Sequence, residues 1–241
     1  MINHKRRKLM FAISGLIAAG ASGRVAALMP TPRQSAGPFY PETLPLDDDN
    51  NLTEVAGKSG KAKGIISDLS GRIVDINGRP LRTMRIEIWQ CDANGRYRHP
   101  RENASRPLDE NFQGHGSTLT DADGLYRFRT IRPVPYPGRT PHIHIAVFPA
   151  DEQPFVTQLY IAGEERNASD FLYKRIPSDR RHRVTAQFEP SSTPGAEQQA
   201  SFDIILNRTD GTPQDRWYRA RSAERVNGLC CAPATFIRWR T

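Results

Sequence analysis

The segment Tyr136-Pro-Gly-Arg-Thr-Pro-His-Ile-His144 places a phenol, a guanidinium and two imidazoles within nine residues. Two histidines one residue apart can share a metal ion if the chain is extended, because side chains of a strand alternate between its faces. In His142-Ile-His-Ile-Ala-Val-Phe148 that alternation sends His142, His144, Ala146 and Phe148 to one face. Ile143, Ile145 and Val147 go to the other. Two phenols could join the pair: Tyr97, just after the Asn94-Gly95 turn, and Tyr136, whose backbone is stiffened by Pro135 and Pro137. A free phenol ionises near pH ~10, so it ligates near neutrality only where a strongly Lewis-acidic ion displaces its proton. Ferric iron meets that requirement, and imidazole suits iron as well. Taken singly, the histidines read equally well as structural residues, and each tyrosine as a packing residue with a bonded hydroxyl.

The elements that must position these groups are short. Candidate strands fall at 63–75, 83–91, 125–131, 142–148, 155–162, 183–189 and 201–207, and Asn77-Gly78, Asn94-Gly95 and Asp123-Gly124 mark turns. Strands at this spacing predict an all-β fold, an antiparallel β-sandwich. No amphipathic helix longer than two turns is expected, only a short helix within 166–182. Residues 22–60 read as an extended N-terminal arm, with Pro30, Pro32, Pro38, Pro41 and Pro45 ahead of Asp47-Asp48-Asp49. The sandwich domain is expected over 61–210. Residues 211–241 read as a basic, aromatic tail, expected to wrap the domain or meet a partner subunit.

Residues 1–21 read as an export signal. Lys5-Arg6-Arg7-Lys8 precedes an apolar run from Leu9 to Ala21, which ends in the small residues Ala19-Gly20-Ala21. The Arg6-Arg7 pair resembles a twin-arginine signal, giving a periplasmic destination, or a cytoplasmic one if the leader is not used. A disordered basic arm or an uncleaved anchor are the alternatives. The leader carries four Lys/Arg and no Asp/Glu, so the net charge of +8 falls to +4 without it. That mild excess, with no Lys/Arg run interleaved with aromatics, argues against nucleic-acid binding. No stretch approaches the ~20 apolar residues of a membrane span. Cys91, Cys230 and Cys231 form neither a disulfide framework nor a zinc-type pair and read as buried or free thiols.

Several ordered stretches resemble the intradiol ring-cleavage dioxygenases, most of all the protocatechuate 3,4-dioxygenase type, beta-subunit-like. They are Thr31–Tyr40, Gly71–Pro80, Ile86–Gln90, Gly95–His99, Pro107–Phe112, Leu119–Pro133, Arg139–His144 and Thr157–Tyr160. The resemblance covers about 31 to 210. It implies a prealbumin-like sandwich with long loops and a mononuclear non-haem Fe(III) held by Tyr97, Tyr136, His142 and His144. It implies a catechol-type substrate and O2, with the ring opened between its hydroxyls to a muconate-type dicarboxylate. By the same resemblance Tyr136 is the ligand that leaves when substrate chelates the iron, and Arg139 is the cation beside the reacting ring. Gln158 is an amide near the substrate. Homo- or hetero-oligomeric assembly stays open.

The chain also departs from the family pattern. Only five residues separate Tyr136 from His142, where protocatechuate-type relatives carry a longer, tryptophan-containing insertion, so the pocket should be more open. The substrate stays open among catechol, protocatechuate, hydroxyquinol and larger plant phenolics. Phe39 and Tyr40 are expected either to line the pocket or to pin the arm to the core. Trp89, Tyr126 and Phe128 are expected to be packing residues, and His99 and His115 solvated loop residues. A non-catalytic transthyretin-like or carbohydrate-binding β-sandwich is the competing reading, and a zinc or copper site on that sandwich is a third.

Overall fold

The computed structural model describes residues 27–208 apart from 46, 103, 104 and 151. The expected leader, the tail and the Cys230-Cys231 pair therefore lie outside the described residues. From the first described residue to residue 65 no helix or strand element forms, consistent with its prolines. Ten strands follow: β1 (Ile66–Asp75), β2 (Arg85–Trp89), β3 (His115–Leu119), β4 (Leu125–Ile131), β5 (His142–Phe148), β6 (Phe155–Ile161), β7 (Thr185–Ala186), β8 (Glu189–Pro190), β9 (Gln198–Ser201) and β10 (Ile204–Leu206). Between β6 and β7 lie one α-helical turn, α1 (Phe171–Lys174), and two 3-10 turns, Glu165–Ala168 and Ser178–Arg183. These occupy the place of the short helix expected within 166–182.

The strands form two five-stranded sheets. In the first, β4 runs antiparallel along one edge of β1. On the other edge β9 pairs in parallel with Ser67–Ser70 and β10 pairs in parallel with Ile73–Asp75. The second sheet has the order β3-β2-β5-β6-β7. Its inner pairings are antiparallel, but β7 joins β6 in parallel. Both sheets are thus mixed, which corrects the expectation of antiparallel pairing throughout. The 183–189 strand divides into β7 and β8, which belong to different sheets.

One apolar cluster joins residues of both sheets: Leu69, Ile73, Tyr126 and Phe128 from the first, and Ile86, Ile88, Ile143, Ile145 and Leu159 from the second. Burying Ile143, Ile145 and Val147 contributes about 1.5–3 kcal/mol each. A one-residue slip of β5 would drive its histidines into that core, so the apolar face fixes the register that presents them. Tyr126 packs in this core as expected, its hydroxyl donating to the Phe202 carbonyl at 2.5 Å.

Candidate active site

The opposite face of the second sheet carries the chemistry. Cα pairing lines up His115, Trp89, His144 and Gln158 in one row across β3, β2, β5 and β6. His142 faces Tyr160 in a neighbouring row. This face is polar yet enclosed, because residues 31–40 cross it. The Ser35 carbonyl accepts the Gln158 amide at 2.9 Å, and Gln34 Oε1 accepts the Tyr160 hydroxyl at 2.8 Å. Phe39 stacks on Tyr97, ring centroids 4.8 Å apart. Gly37 adopts φ +70°, and a β-carbon there would meet His144 Cε1 at 3.3 Å.

The two imidazoles converge. His142 Nδ1 lies 2.6 Å from the Thr140 carbonyl. A carbonyl only accepts, so the proton sits on Nδ1 and the bare Nε2 turns toward His144 Nε2, 3.2 Å away. Trp89 stacks flat on His144, 4.9 Å between centroids with 6° between planes. Its packing role is therefore directed at the site. Burial, reinforced by the Arg139 charge, lowers the pKa of His142 to about 3. Burial, His142 and Arg139 hold His144 well below the ordinary range. Both rings are neutral at physiological pH, the form that ligates metal.

The phenols arrive by two turns. Asp92 Oδ1 accepts the amides of Asn94 and Arg96, closing the Asn94-Gly95 turn that delivers Tyr97 into the cluster with Trp89 and Cys91. Tyr136 to Arg139 is a tight turn with Pro137 and Gly138 at its centre and the Arg139 amide bonded to the Tyr136 carbonyl at 3.0 Å. Gly138 takes φ +80°, the conformation a type II turn needs after proline. That turn sets Tyr136 and Arg139 side by side, and Arg139 Nη1 donates to the Tyr136 hydroxyl at 3.4 Å. The Tyr97 ring lies 5.3 Å from that of Tyr136 and 6.2 Å from that of His144, and the Tyr136 ring lies 5.5 Å from that of His142. Burial pushes the Tyr97 phenol well above its usual pKa. Burial also raises Tyr136, with the Arg139 charge opposing.

The six residues singled out from the sequence, Tyr97, Tyr136, Arg139, His142, His144 and Gln158, therefore meet in one place. Gln158 is fully buried rather than a solvent-facing strand residue. Its Oε1 accepts Arg139 Nη2 at 2.6 Å. Among the described residues no group of three or more His, Cys, Asp and Glu converges on a common point. What joins the imidazole pair is phenolic, and the Tyr97 hydroxyl, 3% exposed as a residue, has no hydrogen-bond partner among the described residues. A buried phenol with no partner among the described residues, beside two converging neutral imidazoles, fits a hard, strongly acidic metal ion such as ferric iron.

Two expectations fail. His99 and His115 are buried, not solvated. His115 lies on β3, and its Nε2 is 3.3 Å from Glu87 Oε2, which also accepts the Tyr40 hydroxyl at 2.9 Å. His99 Nδ1 accepts the Arg101 amide at 3.1 Å. Sequence reasoning also missed Asp170, whose buried carboxylate pairs with Arg139 at 2.8 Å. Its only signal was an aspartate standing directly before Phe171-Leu-Tyr-Lys174, the place of a helix cap.

Known proteins resemble this chain over most of its length. A family model described as Dioxygenase matches residues 35–208. The protocatechuate 3,4-dioxygenase beta chain of Burkholderia cepacia is 39% identical over 182 residues, covering 71% of this chain and 76% of that one. A hydroxyquinol 1,2-dioxygenase of Corynebacterium glutamicum is 31% identical over 146 residues, 53% of this chain and 45% of that one. Among solved structures, the dioxygenase domain of a dioxygenase carbohydrate-binding protein fusion from Streptomyces sp. SirexAA-E aligns with TM-score 0.59 at 28% identity, covering 75% of this chain and all of that one. The catechol 1,2-dioxygenase of Acinetobacter sp. ADP1 aligns at 0.55 with 25% identity, over 76% of this chain and 64% of that one. With the family match and the Burkholderia cepacia relative both spanning most of the chain, this protein belongs to the intradiol ring-cleaving dioxygenases.

Proposed function

We propose that the protein opens a catechol-type ring with O2 at a mononuclear ferric ion held by Tyr97, Tyr136, His142 and His144. The observation that carries this reading is the convergence of the two imidazole Nε2 atoms, 3.2 Å apart, beside the unpartnered Tyr97 hydroxyl. When bound, the ferric ion would act as a Lewis acid that ionises the diol and activates its ring toward O2. Both oxygen atoms of O2 end in the product, a muconate-type dicarboxylate.

The chain's own residues have separate tasks. Tyr97 is enclosed and serves as the resident phenolate. Tyr136 is less enclosed, and the Arg139 guanidinium at 3.4 Å favours its ionised oxygen, so of the two phenols that would hold the ion, Tyr136 would be the one that yields its place to the substrate. Arg139 is a fixed cation where negative charge develops on the ring, and such preorganised charge in a dry site is usually the largest catalytic term. Gln158 orients that cation through its Oε1. The surrounding sheets are read as a prealbumin-like sandwich, with export through residues 1–21 to the periplasm. Assembly with further copies or with a second chain belongs to the same proposal.

The visible spectrum tests the reading. Iron-loaded protein should be burgundy from phenolate-to-Fe(III) charge transfer and should consume O2 with a catechol panel. Tyr136→Phe should keep iron yet lose the normal spectral shift on catechol addition. A colourless protein carrying stoichiometric iron would sink the tyrosinate model.

A further inference from the structure

We infer that Asp170 is the positioning residue of this active site, holding the Arg139 guanidinium and, through Thr140, the His142 imidazole in their working orientations. The inference rests on the proposed function, since it concerns the same site. Asp170 lies outside every strand that carries a candidate ligand, and its side chain is fully buried. Its Oδ2 accepts from Arg139 Nε at 2.8 Å and from the Thr140 amide at 3.1 Å. Its Oδ1 accepts the amides of Leu172 and Tyr173 at 3.0 and 2.9 Å, capping α1.

These four bonds couple three parts of the molecule. The guanidinium is a planar fork, so fixing Nε on Asp170 and Nη2 on Gln158 leaves one orientation, with Nη1 toward Tyr136. Thr140 is held at both ends: its amide by Asp170, and its hydroxyl donating to Asn167 Oδ1 at 2.9 Å. Asn167 is itself anchored, its Nδ2 donating to the Ile161 carbonyl at 2.8 Å. Thr140 thus presents a fixed carbonyl to His142 Nδ1, which sets the tautomer that turns Nε2 into the site. A helix cap alone needs no charge, because asparagine caps as well as aspartate. The charge of this carboxylate is explained by the buried guanidinium opposite.

Asp170→Asn in the full-length, iron-loaded enzyme tests this. Asparagine preserves the cap but cannot offer a charged acceptor to both Arg139 Nε and the Thr140 amide. The expected result is a kcat about 10–100-fold lower, with KM little changed and the visible band retained. In an Arg139→Gln background the same change should cost less turnover than in the wild type, what remains being the part carried through Thr140 to His142, and should raise Tm, since it neutralises a buried carboxylate that has lost its cation. Wild-type kcat in Asp170→Asn would assign Asp170 to the cap alone, and equal losses in both backgrounds would show that it does not act through Arg139; either result overturns the inference. If Asp170→Asn does not fold, the pair variant decides: folding of the pair supports action through Arg139, and its failure to fold overturns it. Absence of the visible band and of ring cleavage in the wild-type protein would instead remove the proposed function, and this inference with it.

Discussion

Gly37 is the point where the arm touches the imidazole pair, and Gly37→Ala isolates that contact. The residue sits at φ +70°, where an L side chain costs about 1–2 kcal/mol. The new methyl would also lie 3.3 Å from His144 Cε1. The neighbour must give by a few tenths of an ångström, but His144 is pinned flat against Trp89 at 4.9 Å and cannot yield on that side. Gly57 supplies the control: it has φ +79° with nothing within 4 Å of its would-be β-carbon. Gly57→Ala therefore carries the backbone penalty alone, a Tm loss of about 2–8 °C for a domain of this size. Gly37→Ala should lose more Tm than Gly57→Ala. It should also lower turnover by about tenfold or more, because sub-ångström displacement of a ligating ring spoils reacting geometry. Thermal melts, steady-state kinetics and the visible spectrum of both variants check this. Equal Tm losses, with wild-type kinetics and spectrum in Gly37→Ala, would refute the idea that the arm sets His144.

Further predictions concern the polar groups under the arm. Burial acts to raise the Glu87 pKa, but His115, Arg85 and Tyr40 outweigh it and hold the carboxylate low, so its stabilisation is present above the unfolded value of ~4.3 and is lost as pH falls through the folded value. Glu87→Gln should therefore melt below wild type at pH 7, and the gap should close under acid; a gap constant with pH would contradict the assignment. Tyr40→Phe removes a hydroxyl bonded to that carboxylate at 2.9 Å and should cost about 1.5–3 kcal/mol in denaturant melts, with ring cleavage retained because the Tyr40 ring, edge-on to Trp89 at 5.1 Å between centroids, is kept. Tyr97→Phe deletes a buried hydroxyl without a partner, so it should stabilise the metal-free protein by about 1–3 kcal/mol while weakening the visible band; a less stable metal-free variant would argue against an unsatisfied phenol.

Much of this was legible in the residues, for reasons that also explain the misses. Strand β5 was readable because Ile143, Ile145 and Val147 alternate with His142 and His144 over a full strand. Tyr97 was readable because Asn94-Gly95 marks the turn before it. Strand β3 was not, since His115-Gly-Ser-Thr-Leu119 has no apolar alternation and forms by pairing with β2. Strand β9, Gln198–Ser201, is polar and is held by parallel pairing with the distant Ser67–Ser70. No local pattern announces such pairings, so an antiparallel expectation was bound to fail there. His115 illustrates the same limit: its flanking glycine and serine suggest a solvated loop, while the cover that buries it comes from residues far away in the chain.

The second sheet has two faces with opposed requirements. One is apolar and supplies cohesion; the other buries Glu87, His115, His142, His144, Gln158 and Tyr160. An uncovered polar face would simply be hydrated, and its phenol and imidazoles would hold ordinary pKa values. Covering it with residues 31–40 removes water and makes every unpaired polar atom costly. Most atoms there are paired by design: Gln158 with Ser35, Tyr160 with Gln34, Glu87 with Tyr40, Arg139 with Asp170. The Tyr97 hydroxyl and His144 Nδ1 are among those that are not. Stability is thus conceded next to the ligand atoms, where a metal ion can return it to Tyr97, and is secured by the arm a few ångströms away. On this reasoning the arm belongs to the active site as much as the strands do.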